Sequence, residues 1–151
     1  MTPRNATRTK RPGLARARRA SALHGPSGIA ISREAEEILF AHAELLTEAR
    51  IDAAGYAGST MITIDLAEAG KLVRGLDSHA ERERFVSIAR GSVRLRLRAM
   101  RFACAEAARR VPERALGTFG VDTTMRLEGH LLLVDVDVDA AFSERPVEQR
   151  G

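Results

Sequence analysis

Ser92-Val93-Arg94-Leu95-Arg96-Leu97-Arg98-Ala99-Met100-Arg101-Phe102 (SVRLRLRAMRF) carries two periods at once. Taken in twos, Val93, Leu95, Leu97 and Ala99 alternate with arginines, as along a half-buried strand. Taken in 3.6s, Arg90, Arg94, Arg98 and Arg101 share one stripe of a helix. The flanks decide between the two. Ser78-x-x-Glu81 is a capping box, and no turn chemistry other than Gly91 follows until Pro112. Phe85, Val86, Ile88 and Ala89 before the stretch keep the helical period, as do Phe102, Cys104, Ala107, Ala108 and Val111 after it. The pattern predicts one long helix over about 80–110, bent or interrupted at Gly91, and ~45 Å in length at ~1.5 Å per residue.

Such a helix is longer than a small domain needs to cover its own sheet. Its apolar arc takes in more than half the circumference, which predicts packing on more than one side. Arg96 falls inside that arc, where its guanidinium must find a carboxylate, a carbonyl or water.

Working outward, Ser32 reads as an N-cap followed by Glu34, Glu36 and Glu37. Ile38, Leu39, His42, Leu45, Leu46 and Ala49 then share a face, so a helix is predicted to run on towards a loop at Gly55 and Gly58. Residues 60–66 (TMITIDL) alternate as a strand. Asp65-x-x-Glu68 resembles a capping box for a short helix through Arg74, with Gly75 as its stop. Residues 121–128 and 130–138 form a hairpin turning at Glu128-Gly129, with Leu127 opposite His130 and Met125 opposite Leu132. The fold class is therefore α+β: a long central helix on a small antiparallel sheet, with an N-terminal helix and a disordered basic arm. The domain division is 1–28 basic flexible arm, 29–142 α+β domain, and 143–151 polar C-terminal tail.

The chain of 151 residues is 44% apolar but only 4% aromatic, so its core must be built from Leu, Val, Ile and Ala. Base stacking on aromatic platforms is a poor fit to that composition. Net charge is +4, yet residues 1–20 hold seven basic side chains and no acid, leaving 17 basic and 20 acidic in the remainder. The basic character belongs to the start of the chain. That composition fits a disordered arm, and also resembles an organellar transit peptide. Cys104 is the only cysteine, which excludes an internal disulfide and fits a reducing compartment. No apolar run approaches the ~18 residues of a membrane span, so no membrane partner is expected.

No motif names a reaction. Asp135, Asp137 and Asp139 point to one face of a strand, but same-face neighbours stand nearly ~7 Å apart, too far for three to share one ion unaided. His24, His42, His79 and His130 lack metal spacing, Cys104 has no cysteine or base beside it, and Gly55-x-x-Gly58 matches an RNA-clamping loop only in its glycines. No catalytic residue, metal ligand or cofactor is expected. The candidate partner-binding or nucleic-acid-binding residues are Arg4, Arg8, Lys10, Arg11, Arg16, Arg18 and Arg19 on the arm, with Arg90, Arg94, Arg98 and Arg101 on the helix stripe.

One resemblance adds to this. Ile62-Thr63-Ile64, then Leu72-Val73-Arg74-Gly75-Leu76-Asp77, then Ala107-Ala108-Arg109-Arg110-Val111-Pro112 before a hairpin, resembles the small tail-completion or neck proteins of long-tailed bacteriophages over about 62–138. Those families usually place Thr-Gly-x-Leu-Arg after the Val-Pro. Here Ala115-Leu116-Gly117-Thr118-Phe119 stands instead. The resemblance implies a non-enzymatic structural protein that forms a homo-oligomeric ring at the head–tail junction with other assembly proteins, in the cytoplasm or the virion. The alternative is a nucleic-acid-binding protein that uses the arm and the arginine stripe.

Overall fold

The computed structural model describes residues 19–143. Its elements in order are β1 (Ala20–Ser21), β2 (Leu23–His24), β3 (Ala30–Ile31), α1 (Arg33–Ala41), β4 (Glu44–Ile51), β5 (Gly55–Asp65), α2 (Leu66–Ala69), β6 (Val73–Arg74), α3 (His79–Arg90), α4 (Val93–Arg110), β7 (Leu116–Glu128) and β8 (Leu131–Phe142). Four strands form one antiparallel sheet in the order β4-β5-β8-β7. Alternate residues of the two central strands, Tyr56, Thr60, Ile62 and Ile64 on β5 with Leu132, Val134, Val136, Val138 and Ala140 on β8, are buried on one face. Helix α3 lies over β7, and α4 over β8, β5 and β7.

The long central helix is the first correction. The helical period was the right choice at SVRLRLRAMRF, but α3 and α4 are separate helices rather than one rod of 80–110. Ser92 Oγ accepts from Leu95 N and caps α4, while Gly91 N and Ser92 N close tight turns onto Ile88 O and Ala89 O. A serine able to cap its own following turn competes with the continuing i→i−4 ladder, and here it wins. The wide apolar arc narrows accordingly. On α4 only Leu95, Ala99, Ala103 and Ala107 are buried, an i, i+4 stripe whose three alanines let the helix lie close on the sheet. Val93 and Leu97 remain exposed. The helices are covered on their sheet-facing side by the chain's own sheet, so helix length is no argument for a partner.

The second correction concerns the predicted N-terminal helix. Ser32 does cap α1, accepting from Ala35 N, but the helix ends at His42, whose Nδ1 donates to Ile38 O at 2.8 Å. The residues assigned to its second half form β4, paired residue for residue with β5 from Glu44↔Thr63 to Ile51↔Tyr56. ELLTEARI satisfies both periods, and an eight-residue ladder with a core strand outweighs helix propensity. The sheet is thereby larger than expected.

Gly55 and Gly58 lie within β5 rather than in a loop. A Cβ on Gly58 would stand 2.4 Å from Tyr56 Oη, so this glycine leaves room for the buried Tyr56 ring. The register of the last hairpin also differs from expectation, with Leu127 opposite Leu132 and Met125 opposite Val134. Gly129, at φ 62°, then takes the first loop position, where a two-residue hairpin needs positive φ; the predicted pairing would have put Glu128 there. The shift is even, so every side chain keeps its face.

Residues 19–28, assigned above to the arm, belong to the folded unit. Ala20 N donates to Leu72 O, Ala22 N to Arg74 O, and Ser32 N to Ala22 O, with both alanines buried. Small side chains allow this segment to lie against β6. The remainder of the arm and the tail after Ser143 fall outside the described residues.

Two substitutions test the helix break. Ser92→Ala should lower stability in urea unfolding by about 1 kcal/mol through loss of the cap. Gly91→Ala should change it by less than about 0.5 kcal/mol, because φ −92° is open to any L-residue and an added Cβ meets only Ile88 O at 3.7 Å.

Candidate functional site

Ser32 fixes the start of α1, and one turn later Glu36 is carried against the first half of α4, 5% exposed. Its two carboxylate oxygens receive Arg94 Nε at 2.5 Å and Arg98 Nη1 at 3.1 Å. Arg94 Nη2 also donates to Ile31 O at 2.9 Å, and the Arg98 guanidinium lies 5.1 Å from the centre of the Phe40 ring, itself stacked on Phe102. Two arginines and one carboxylate therefore clamp α1 and β3 to α4. Arg90 turns to the sheet, where Nε donates to Met125 O at 2.9 Å.

This places most of the expected basic stripe. Arg90, Arg94 and Arg98 are committed to the chain's own groups; Arg101, exposed beside Arg33 and Glu37, makes no ion pair among the described residues. Arg19 donates to Gly70 O at 2.8 Å and faces Asp77 at 3.4 Å, so it is an anchor for β1 rather than part of a free arm. Arg4, Arg8, Lys10, Arg11, Arg16 and Arg18 lie outside the described residues. Arg96 Nε is buried and has no hydrogen-bond partner among those residues.

On the sheet face away from the helices, Asp135 Oδ1 accepts from Ser59 Oγ at 2.9 Å, while Asp137 and Asp139 stand in water with Asp122 directly opposite Asp137. No group of three His, Cys, Asp or Glu side chains able to hold a metal occurs among the described residues. The histidines are scattered: His79 faces Glu83 at 3.2 Å and His130 faces Asp65 at 3.6 Å. Burial pushes the Cys104 thiol up, which suits a small packing residue and not a nucleophile. No described helix is long and apolar enough to cross a membrane.

What sequence reasoning missed is the pair of sheet edges. Strand β4 bounds the sheet on one side, with Leu45, Leu46 and Ile51 exposed, the second at 68% and the third at 46%. Strand β7 bounds the other, with Phe119 exposed at 42%. The signal was present in the alternation of ELLTEARI, where the helical reading concealed it. At the end of β4, Asp52 accepts from Ala54 N and Gly55 N, and these backbone bonds hold its carboxyl below the usual range. The contribution of that turn is therefore present above the ordinary carboxylate pKa and is lost as pH falls through the lowered value.

Glu36→Ala should destabilise the fold by about 2 kcal/mol in urea unfolding. That is below the ~3–5 kcal/mol of a fully buried pair, because Arg94 and Arg98, 44% and 31% exposed, regain water. The Cys104 thiol should react with iodoacetamide more slowly in the native protein than after denaturation. Compared with protein-family models, with curated proteins and with solved structures, the chain matches none of them.

Proposed function

We propose that this chain is a non-enzymatic assembly protein that makes homo-oligomeric contacts. The observation carrying this reading is that, among the described residues, its sheet ends on both sides in an open strand, one of which displays Leu45, Leu46 and Ile51 to water. Open, apolar edges are aggregation hazards that proteins ordinarily cover, charge or shorten. Here β4 is eight residues long and holds its apolar side chains at the rim. A partner supplying a strand would cover both the backbone and these side chains.

The resemblance to phage neck and tail-completion proteins gives that assembly a setting, a ring within a virion. The resemblance rests on the order strand, short helix, long helix ending at Val111-Pro112, then hairpin; β5, α2 and the β7–β8 hairpin follow that order, with α3 and α4 standing where it has one helix. Repeated subunits meeting by one face each on opposite sides make head-to-tail contacts, the kind that closes into rings. The nucleic-acid reading draws less support, because three of the four stripe arginines are tied to groups of this chain.

Sedimentation velocity between about 1 and 100 µM in the absence of nucleic acid tests the proposal. The mass should rise with concentration, as mass action requires. A monomer across that whole range would end it.

A further inference from the structure

Resting on the assembly reading, we infer that the contact between copies is strand β4 of one molecule laid antiparallel on strand β7 of the next, so that one sheet runs on through successive subunits. Three features of the edges carry this.

First, the open groups match in phase. In an antiparallel pair, hydrogen-bonded and non-bonded positions alternate. Asp52 N donates to Gly55 O at the β4–β5 turn, so Ile51, Ala49, Thr47 and Leu45 direct their N–H and C=O away from β5. Arg110 Nη2, which reaches Thr47 O from outside the ladder, bears this out. At the β7–β8 turn, Glu128↔Leu131 closes the two-residue loop, so Leu127, Met125, Thr123, Val121 and Phe119 direct theirs away from β8. Arg90 on Met125 O marks the same parity. Each arginine uses one lone pair of one carbonyl and leaves a second.

Second, the strand directions suit. The order β4-β5-β8-β7 with every neighbour antiparallel makes β4 and β7 of one copy antiparallel to each other. A copy added in the same orientation therefore presents β4 antiparallel to its neighbour's β7.

Third, side chains in one row complement each other. Following the ladder, Ile51, Tyr56, Ala140 and Phe119 form one row, and Glu44, Thr63, Leu133 and Arg126 another. Continued straight into the next copy, the exposed Ile51 meets the exposed Phe119, and Glu44 meets Arg126. Glu48 faces Asp122 in that register, with Arg50 on the diagonal to relieve the repulsion.

The test has two arms. Ala49 directs its N–H outward, so Ala49→Pro removes no bond of the β4–β5 ladder while blocking strand addition. It should weaken self-association at least about tenfold in sedimentation while circular dichroism stays native. Leu46→Cys with Thr124→Cys, in a Cys104→Ser background, should give a ladder of disulfide-linked species on mild oxidation. Within one copy those positions lie three strand spacings apart, ~14 Å, and cannot bridge.

Undiminished association of a folded Ala49→Pro variant together with no cross-linked ladder would overturn the inference and leave the assembly reading standing. So would a dimer band from Leu46→Cys alone, which would place β4 against β4. A wild-type chain that stays monomeric would end both.

Discussion

The apolar face of β5 and β8 is the constraint around which the remainder is arranged. Ile62, Ile64, Leu132, Val134 and Val136 are each at most 1% exposed, and every large aliphatic side chain so buried contributes on the order of 1.5–3 kcal/mol. A face of that kind has to be roofed. Helix α4 does so with an alanine stripe that permits close approach, and α3 with Phe85, Val86 and Ala89. The break at Gly91-Ser92 makes this cover possible, since two shorter helices follow different strands where a single rod would overhang the sheet.

The break also decides the fate of the arginines. Once α4 starts at Val93, Arg94 and Arg98 fall one turn apart opposite Glu36, and the three groups form a partly buried cluster. A carboxylate so enclosed requires both partners. The basic ridge suggested by the sequence is thus largely an internal fastening, and the surface left for partners moves to the rims of the sheet. There the helices protect each edge at one carbonyl only, through Arg90 on β7 and Arg110 on β4.

Legibility varied with how local the governing physics is. The capping box at Ser78 and Glu81, the Ser32 cap, the Asp65 start of α2 and the strand at 60–65 were readable, because each depends on residues within one turn or one strand. The end of α2 was not: it stops at Ala69 instead of running through Arg74 to a stop at Gly75, because Val73 and Arg74 form β6 against the distant β1. Nor was the β4 strand. Its residues satisfy both periods, and the choice is made by β5, which binds them only after the chain has folded back. Gly58 misled for a related reason: it reads as a loop glycine, and its purpose, to admit the Tyr56 ring, exists only once the strand is formed. The stripe residues Arg90, Arg94 and Arg98 were correctly placed in helix, but their partners lie 35 to 63 residues away in sequence.

Sequence alone determined the helical period of the SVRLRLRAMRF stretch, the cap residues and the existence, though not the register, of the final hairpin, since these rest on short-range geometry and chemistry. Tertiary structure decided where helix yields to strand after His42, how wide the sheet becomes, and which cations face inward. Those outcomes depend on pairing energies between distant segments, for which a linear pattern holds only the candidates.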